Sequence, residues 1–154
     1  MKKNFILFLI TLCMISLFGC SKDNSEVFPL TIPADVSSIT DFKCVCSTGG
    51  ETKFVIEGDK AVDLYSFVTE IWHQSEEIER DLTEQSYVYL VFQDGDPVYV
   101  YSQEQDASNT HFYGVFWICE NDYLVFTGSP LTSFQKHYRL PKDSYKNILE
   151  MLNT

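Results

Sequence analysis

The chain is poor in basic side chains: Lys and Arg number 11 against 22 Asp and Glu, a formal charge of −11. That deficit argues against a nucleic-acid ligand and against adhesion to anionic headgroups, since both carry the protein's own sign. Hydrolytic and nucleotide-handling signatures are missing as well. There is no Gly-x-Ser-x-Gly, no His-Glu-x-x-His, no P-loop and no dinucleotide fingerprint. Histidine is scarce, and His73, His111 and His137 are scattered singly rather than in the matched pairs that zinc and copper use. Asp94-Gly95-Asp96 lacks the remaining ligands of a calcium loop and reads as a hairpin turn. No metal and no cofactor are expected. Internal repeats and low-complexity runs are also absent. The apolar run from Phe5 to Phe18 covers 14 residues, short of the ~20 that a spanning helix needs.

What that run does supply is the middle of a secretory signal. Lys2 and Lys3 give a positive n-region, the run gives an h-region, and it closes on Leu17-Phe18-Gly19-Cys20. This ending resembles the lipobox of bacterial lipoproteins, with a Leu three residues before the cysteine and a small residue directly before it. The resemblance implies a diacylglyceryl thioether on Cys20, cleavage after Gly19 and acylation of the new amino group. Two or three acyl chains, at roughly 0.8 kcal/mol per buried methylene, hold a protein on a membrane essentially permanently. The expected location is therefore exported and lipid-anchored to the bacterial membrane, either the cell membrane or an outer membrane.

Cleavage would remove residues 1–19 with two lysines and no acid, leaving 9 basic against 22 acidic side chains, a formal charge near −13. Residues 20–37 read as the lipidated cysteine and a flexible tether, polar from Ser21 to Glu26 and then interrupted by Pro29 and Pro33. Residues 38–154 read as one α+β domain, large enough for a single core. A chain that is 45% hydrophobic, with 12 Phe and 9 Tyr, excludes disorder throughout.

Within the domain the hydrophobic period sets the elements. Phe42, Cys44 and Cys46 alternate with Lys43, Val45 and Ser47, Thr48-Gly49-Gly50-Glu51 signals a turn, and Lys53 to Glu57 returns as a second strand. Leu64, Phe67, Val68 and Ile71 mark one helix, with Asp59 or Asp63 as its cap. The acids Glu76, Glu77, Glu79, Asp81 and Glu84 suggest a fraying helix end and an exposed loop. Four strands are predicted next: Tyr87 to Gln93, Val98 to Gln103, Phe112 to Cys119 and Tyr123 to Gly128. Tyr145, Ile148, Leu149 and Leu152 mark a last helix, capped by Asp143 or Ser144. Consecutive antiparallel strands with helices gathered on one face make a two-layer sandwich. The element order resembles the β-α-β4-α arrangement of TATA-binding-protein-like and helix-grip domains. That implies an architecture and no function.

Three cysteines remain once Cys13 and Cys20 are set aside. Cys44 and Cys46 share one strand face. The spacing leaves open a disulfide from either to Cys119, three buried thiols, or a Cys–His nucleophile pair. The tyrosines suggest a binding surface. Tyr87 and Tyr89 share a strand face, as do Tyr99 and Tyr101, and Tyr113, Trp117 and Tyr123 follow. A three-residue turn at Asp94-Gly95-Asp96 would pair Phe92 with Val98 and Val91 with Tyr99. The Tyr residues then fall on an open face, with Val88, Leu90, Phe92, Val98 and Val100 beneath the helices. Such a face suits a glycan, a peptide or another protein. The sequence thus favours a non-enzymatic binding module. Its competitors are an inhibitor or accessory subunit acting through the acids from Glu76 to Glu84, and a thiol enzyme using Cys44, Cys46 or Cys119.

Overall fold

A computed structural model describes residues 33, 35–48, 52–79, 86–98, 108–127 and 135–153. The signal, Cys20, the tether up to residue 32, the Gly49-Gly50-Glu51 turn, residues 80–85, and Tyr99 with Tyr101 lie outside the described residues. Among the described residues, no helix is long and apolar enough to cross a membrane.

The described residues form an α+β two-layer sandwich: one antiparallel sheet of seven strands with two helices. The strands are β1 (Lys43–Thr48), β2 (Thr52–Glu57), β3 (Glu76–Ile78), β4 (Tyr87–Asp94), β5 (His111–Cys119), β6 (Tyr123–Thr127) and β7 (Lys136–Arg139). The helices are α1 (Asp59–His73), between β2 and β3, and α2 (Ser144–Asn153) at the end. The sheet order is β2-β1-β4-β5-β6-β7-β3.

One face of the sheet carries Cys44, Cys46, Val88, Leu90, Phe92, Phe116, Ile118, Leu124 and Phe126. They bury against Ala61, Leu64, Tyr65, Val68 and Ile71 of α1 and Ile148 of α2. Aromatic edges tie this core together: Tyr65 meets Phe92 at 5.0 Å and Phe42 at 5.5 Å, while Trp72 stacks on Phe126 at 4.9 Å. The predicted helical stripe is therefore the buried stripe of α1, with Phe67 half-buried at its margin.

Both expected helix caps are replaced. The residue before α1 is Gly58, at φ 64° with no side-chain cap, so Asp59 and Asp63 do not close the end. Asp59 instead sits in the first turn, where a negative charge suits the helix dipole. At α2 the cap comes from a distant turn. The Asp122 carboxylate accepts from the backbone N–H of Asp143 and of Tyr145, each at 2.8 Å, and Ser144 Oγ donates to the Pro141 carbonyl.

The strand expectations change in places. Of the strand expected from Val98 to Gln103, residues 99–103 lie outside the described residues, and both edges of β4 are occupied, by β1 and by β5. The chain instead turns after Asp94: Gln93 Nε2 donates to the Asp96 carbonyl at 2.8 Å, and Gln93 Oε1 accepts from the Val98 N–H at 3.2 Å. Glu76–Ile78, read as loop, is an edge strand paired with β7. Opposed backbone hydrogen bonds and the Lys136–Glu77 ion pair at 3.0 Å hold an acidic segment extended there. The strand β7 itself is too short and polar to show a period in the sequence.

Candidate aromatic face and thiol pair

Alternation along β4 sends Tyr87, Tyr89, Val91 and Gln93 to the face away from the helices. They meet Val45 of β1 and Phe112, Val115 and Trp117 of β5 there. The register sets Tyr89 opposite Trp117 and Tyr87 opposite Cys119. Trp117 thus lies 5.3 Å from the Tyr89 ring and 6.0 Å from the Tyr87 ring, nearly parallel to the latter at 19°.

This far face is not open throughout. Tyr89 is 3% exposed and Val91 and Val115 are fully buried, which corrects the expectation of a free tyrosine platform. Tyr87, Trp117 and Tyr123 remain half-exposed. Val125, on the same face between Trp117 and β7, is buried at 1%. The accessible part is therefore the end of the sheet where β4 begins, β5 ends and β6 begins. Arg139 joins it from β7: its guanidinium lies over the Tyr123 ring at 5.5 Å and donates to the Tyr123 hydroxyl at 3.0 Å. A cation on an aromatic face gains from the ring quadrupole. Among the described residues no carboxylate pairs with this guanidinium. Among the described residues the buried indole N–H of Trp117 has no acceptor.

Tyr113 is not a member of this face. The β4–β5 register shifts at Phe92/Gln93, leaving Tyr113 as the extra residue of a bulge. Gly114, at φ 155°, makes that bulge possible, since a Cβ there would stand 2.8 Å from the Phe116 ring. The shift turns Tyr113 to the helix side, 5.5 Å from Phe42, with its hydroxyl donating to Asp94 at 2.7 Å. Burial and then the Asp94 carboxylate push the phenol up to about 12. Asp94 also accepts from the His111 N–H, so Asp94-Gly95-Asp96 is a turn clasped to the start of β5. Tyr99 and Tyr101 lie outside the described residues.

The thiols separate in the same way. Cys44 and Cys46 are fully buried on the helix face, with their sulfurs 3.6 Å apart. Cys119 is partly buried on the far face, two strands away. A bridge from either to Cys119 would have to pass through the sheet, and all three are free. Burial, then the neighbouring Cys46, pushes the Cys44 thiol well above its ordinary range, and burial raises that of Cys119. Raised thiol pKa values are the reverse of what a nucleophilic cysteine needs.

Among the described residues no three His, Cys, Asp or Glu side chains gather as metal ligands. His73 stacks beside Trp72, His111 lies at the start of β5, and His137 sits on β7.

Sequence reasoning missed two features. Arg139 gave no signal, because its role depends on β7 pairing beside β6. A cavity of about 280 Å³ is lined by Ile56, Lys60, Asp63, Leu64 and Met151, where β2, the start of α1 and the end of α2 meet. Its lining comes from three elements, so no local motif announces it. No family model, curated protein or solved structure matches the chain.

Proposed function

We propose that this chain is an exported protein anchored in the bacterial envelope through lipid on Cys20, and that its α+β domain is a non-enzymatic binding module. The observation that carries the binding reading is the half-exposed end of the far face. Tyr87, Trp117 and Tyr123 present rings there beside the Arg139 guanidinium. Aromatic rings with an adjacent Arg are the residues that most often anchor association. The raised thiol pKa values favour this reading over a thiol enzyme. The ligand classes that suit the patch are a protein, a peptide or a glycan.

Two experiments test the two halves. Cys20→Ser abolishes incorporation of labelled fatty acid, and unchanged labelling rejects the anchor. The lipidated chain serves as bait in detergent-solubilised envelope, compared with Tyr87→Ala and Arg139→Ala. Both substitutions leave the thermal transition nearly in place and reduce what is retained. Equal retention by all three baits rejects the patch.

A further inference from the structure

Among the described strands, β2 ends the sheet. Its inner edge pairs with β1, and among the described residues no strand lies along its outer edge. Such an edge offers a row of backbone donors and acceptors to any strand that fits it. The sequence from Lys53 to Glu57 is Lys-Phe-Val-Ile-Glu, with opposite charges at its ends and apolar residues between.

Two copies of this segment are self-complementary. Laid antiparallel about a two-fold axis at Val55, they bring Lys53 opposite Glu57 twice and Phe54 opposite Ile56 twice. A slip of two residues one way sets Glu57 against Glu51, and a slip the other way runs Lys53 against Asp59, which already belongs to α1. A slip of one residue sets helix-face side chains against far-face ones. Charge and side-chain parity therefore select one register.

The cavity supplies a second, independent observation. Phe54 is only partly buried on the helix face of β2, and Ile56, on that same face, lines the cavity. Directly opposite residues of an antiparallel pair have Cβ atoms ~4.5–5.5 Å apart. In the two-fold arrangement, Phe54 of the second copy stands beside Ile56, at the mouth formed with Leu64 and Met151. Each copy offers one ring and receives one.

We propose that a second copy of this chain docks on the outer edge of β2, antiparallel about Val55, with each Phe54 seated against Ile56 at the other copy's cavity. The two sheets then run on as one, with all four helices on the same side. This surface is separate from the aromatic patch, so either reading stands if the other fails.

The test uses the full chain with Val55→Cys under a mild oxidant, read on non-reducing gels. Opposed Cα atoms in an antiparallel pair fall within the range that a disulfide bridges. Val55→Cys gives a covalent dimer, whereas the unsubstituted chain and Glu70→Cys, exposed on α1, stay monomeric. Adding Lys53→Glu sets like charges opposite each other twice and lowers the dimer yield about tenfold. Adding Glu57→Lys as well restores it. Phe54→Ala, which changes no charge, lowers the yield and keeps the thermal transition. Three outcomes each overturn the proposal: no dimer from Val55→Cys, a dimer formed no faster than from Glu70→Cys, or a folded charge-swapped chain that fails to cross-link.

Discussion

On the helix face of β4, Val88, Leu90 and Phe92 are fully buried beneath two helices, and the Phe92 ring stacks on Phe42 and meets Tyr65 and Phe116 edge-on. On the far face of the same strand, Tyr89 is 3% exposed and Val91 fully buried, and among the described residues no helix residue joins their cluster. The first face is a core assembled, among the described residues, from six strands and two helices. The second is a small patch of Val, Tyr and Trp from neighbouring strands, closed in its middle and half-open at the Tyr87–Tyr123 end. Among the described residues the two faces thus have different neighbours, and truncations on each face compare them.

The largest expected effect lies on the helix face. Phe116→Ala should cost about 3–5 kcal/mol and Leu64→Ala about 2–5 kcal/mol, as deletion of well-packed core groups does. Chemical denaturation measures both. Tyr89→Ala carries the comparison across the sheet. If the middle of the far face is core, the loss is about 3 kcal/mol. A loss below about 0.5 kcal/mol would make that face an open surface after all. Tyr87→Ala, two residues along the same face and half-exposed, should cost about 1 kcal/mol or less.

Next comes the cap. Asp122→Ala removes the acceptor for two N–H groups at the start of α2 and should cost about 0.5–2 kcal/mol, read as a lowered thermal transition. The smallest effect is in alkali. The Tyr113 phenol is raised from 10.0 to about 12, because burial and then Asp94 disfavour its charged form. A phenol held neutral by the fold contributes stability that is full below pH 10 and falls as the pH rises through about 12. Tyr113→Phe should flatten stability over that interval relative to the unsubstituted chain.

The two faces also explain what was legible in the sequence. The stripe of α1 was plain, because one side of that helix meets solvent and the other meets the sheet. The β1–β2 hairpin and the β5–β6 hairpin were plain because their turn residues mark them. In Tyr87-Val88-Tyr89-Leu90-Val91-Phe92 the alternation of Tyr with aliphatic residues separated the faces correctly over its first part. It said nothing of exposure, since strands buried on both sides read as continuous apolar runs. Tyr113 was misassigned because a bulge reverses parity, and the only local trace of it is Gly114. Proximity in sequence favours a hairpin out of β4, whereas β1 and β5 occupy both edges of that strand; Tyr99 itself lies outside the described residues.

The Asp122 contact ties the start of α2 to the order in which the chain acquires structure. Its carboxylate reaches the Asp143 and Tyr145 N–H groups across 21 and 23 residues of chain. A ten-residue helix is marginal on its own, and this one borrows its first-turn acceptor from the β5–β6 turn. The acceptor is in place only once the β5–β6 turn has formed, so this contact closes after that hairpin. Loss of Asp122 should accordingly speed unfolding while leaving the folding rate nearly unchanged, the signature of a contact made after the rate-limiting barrier.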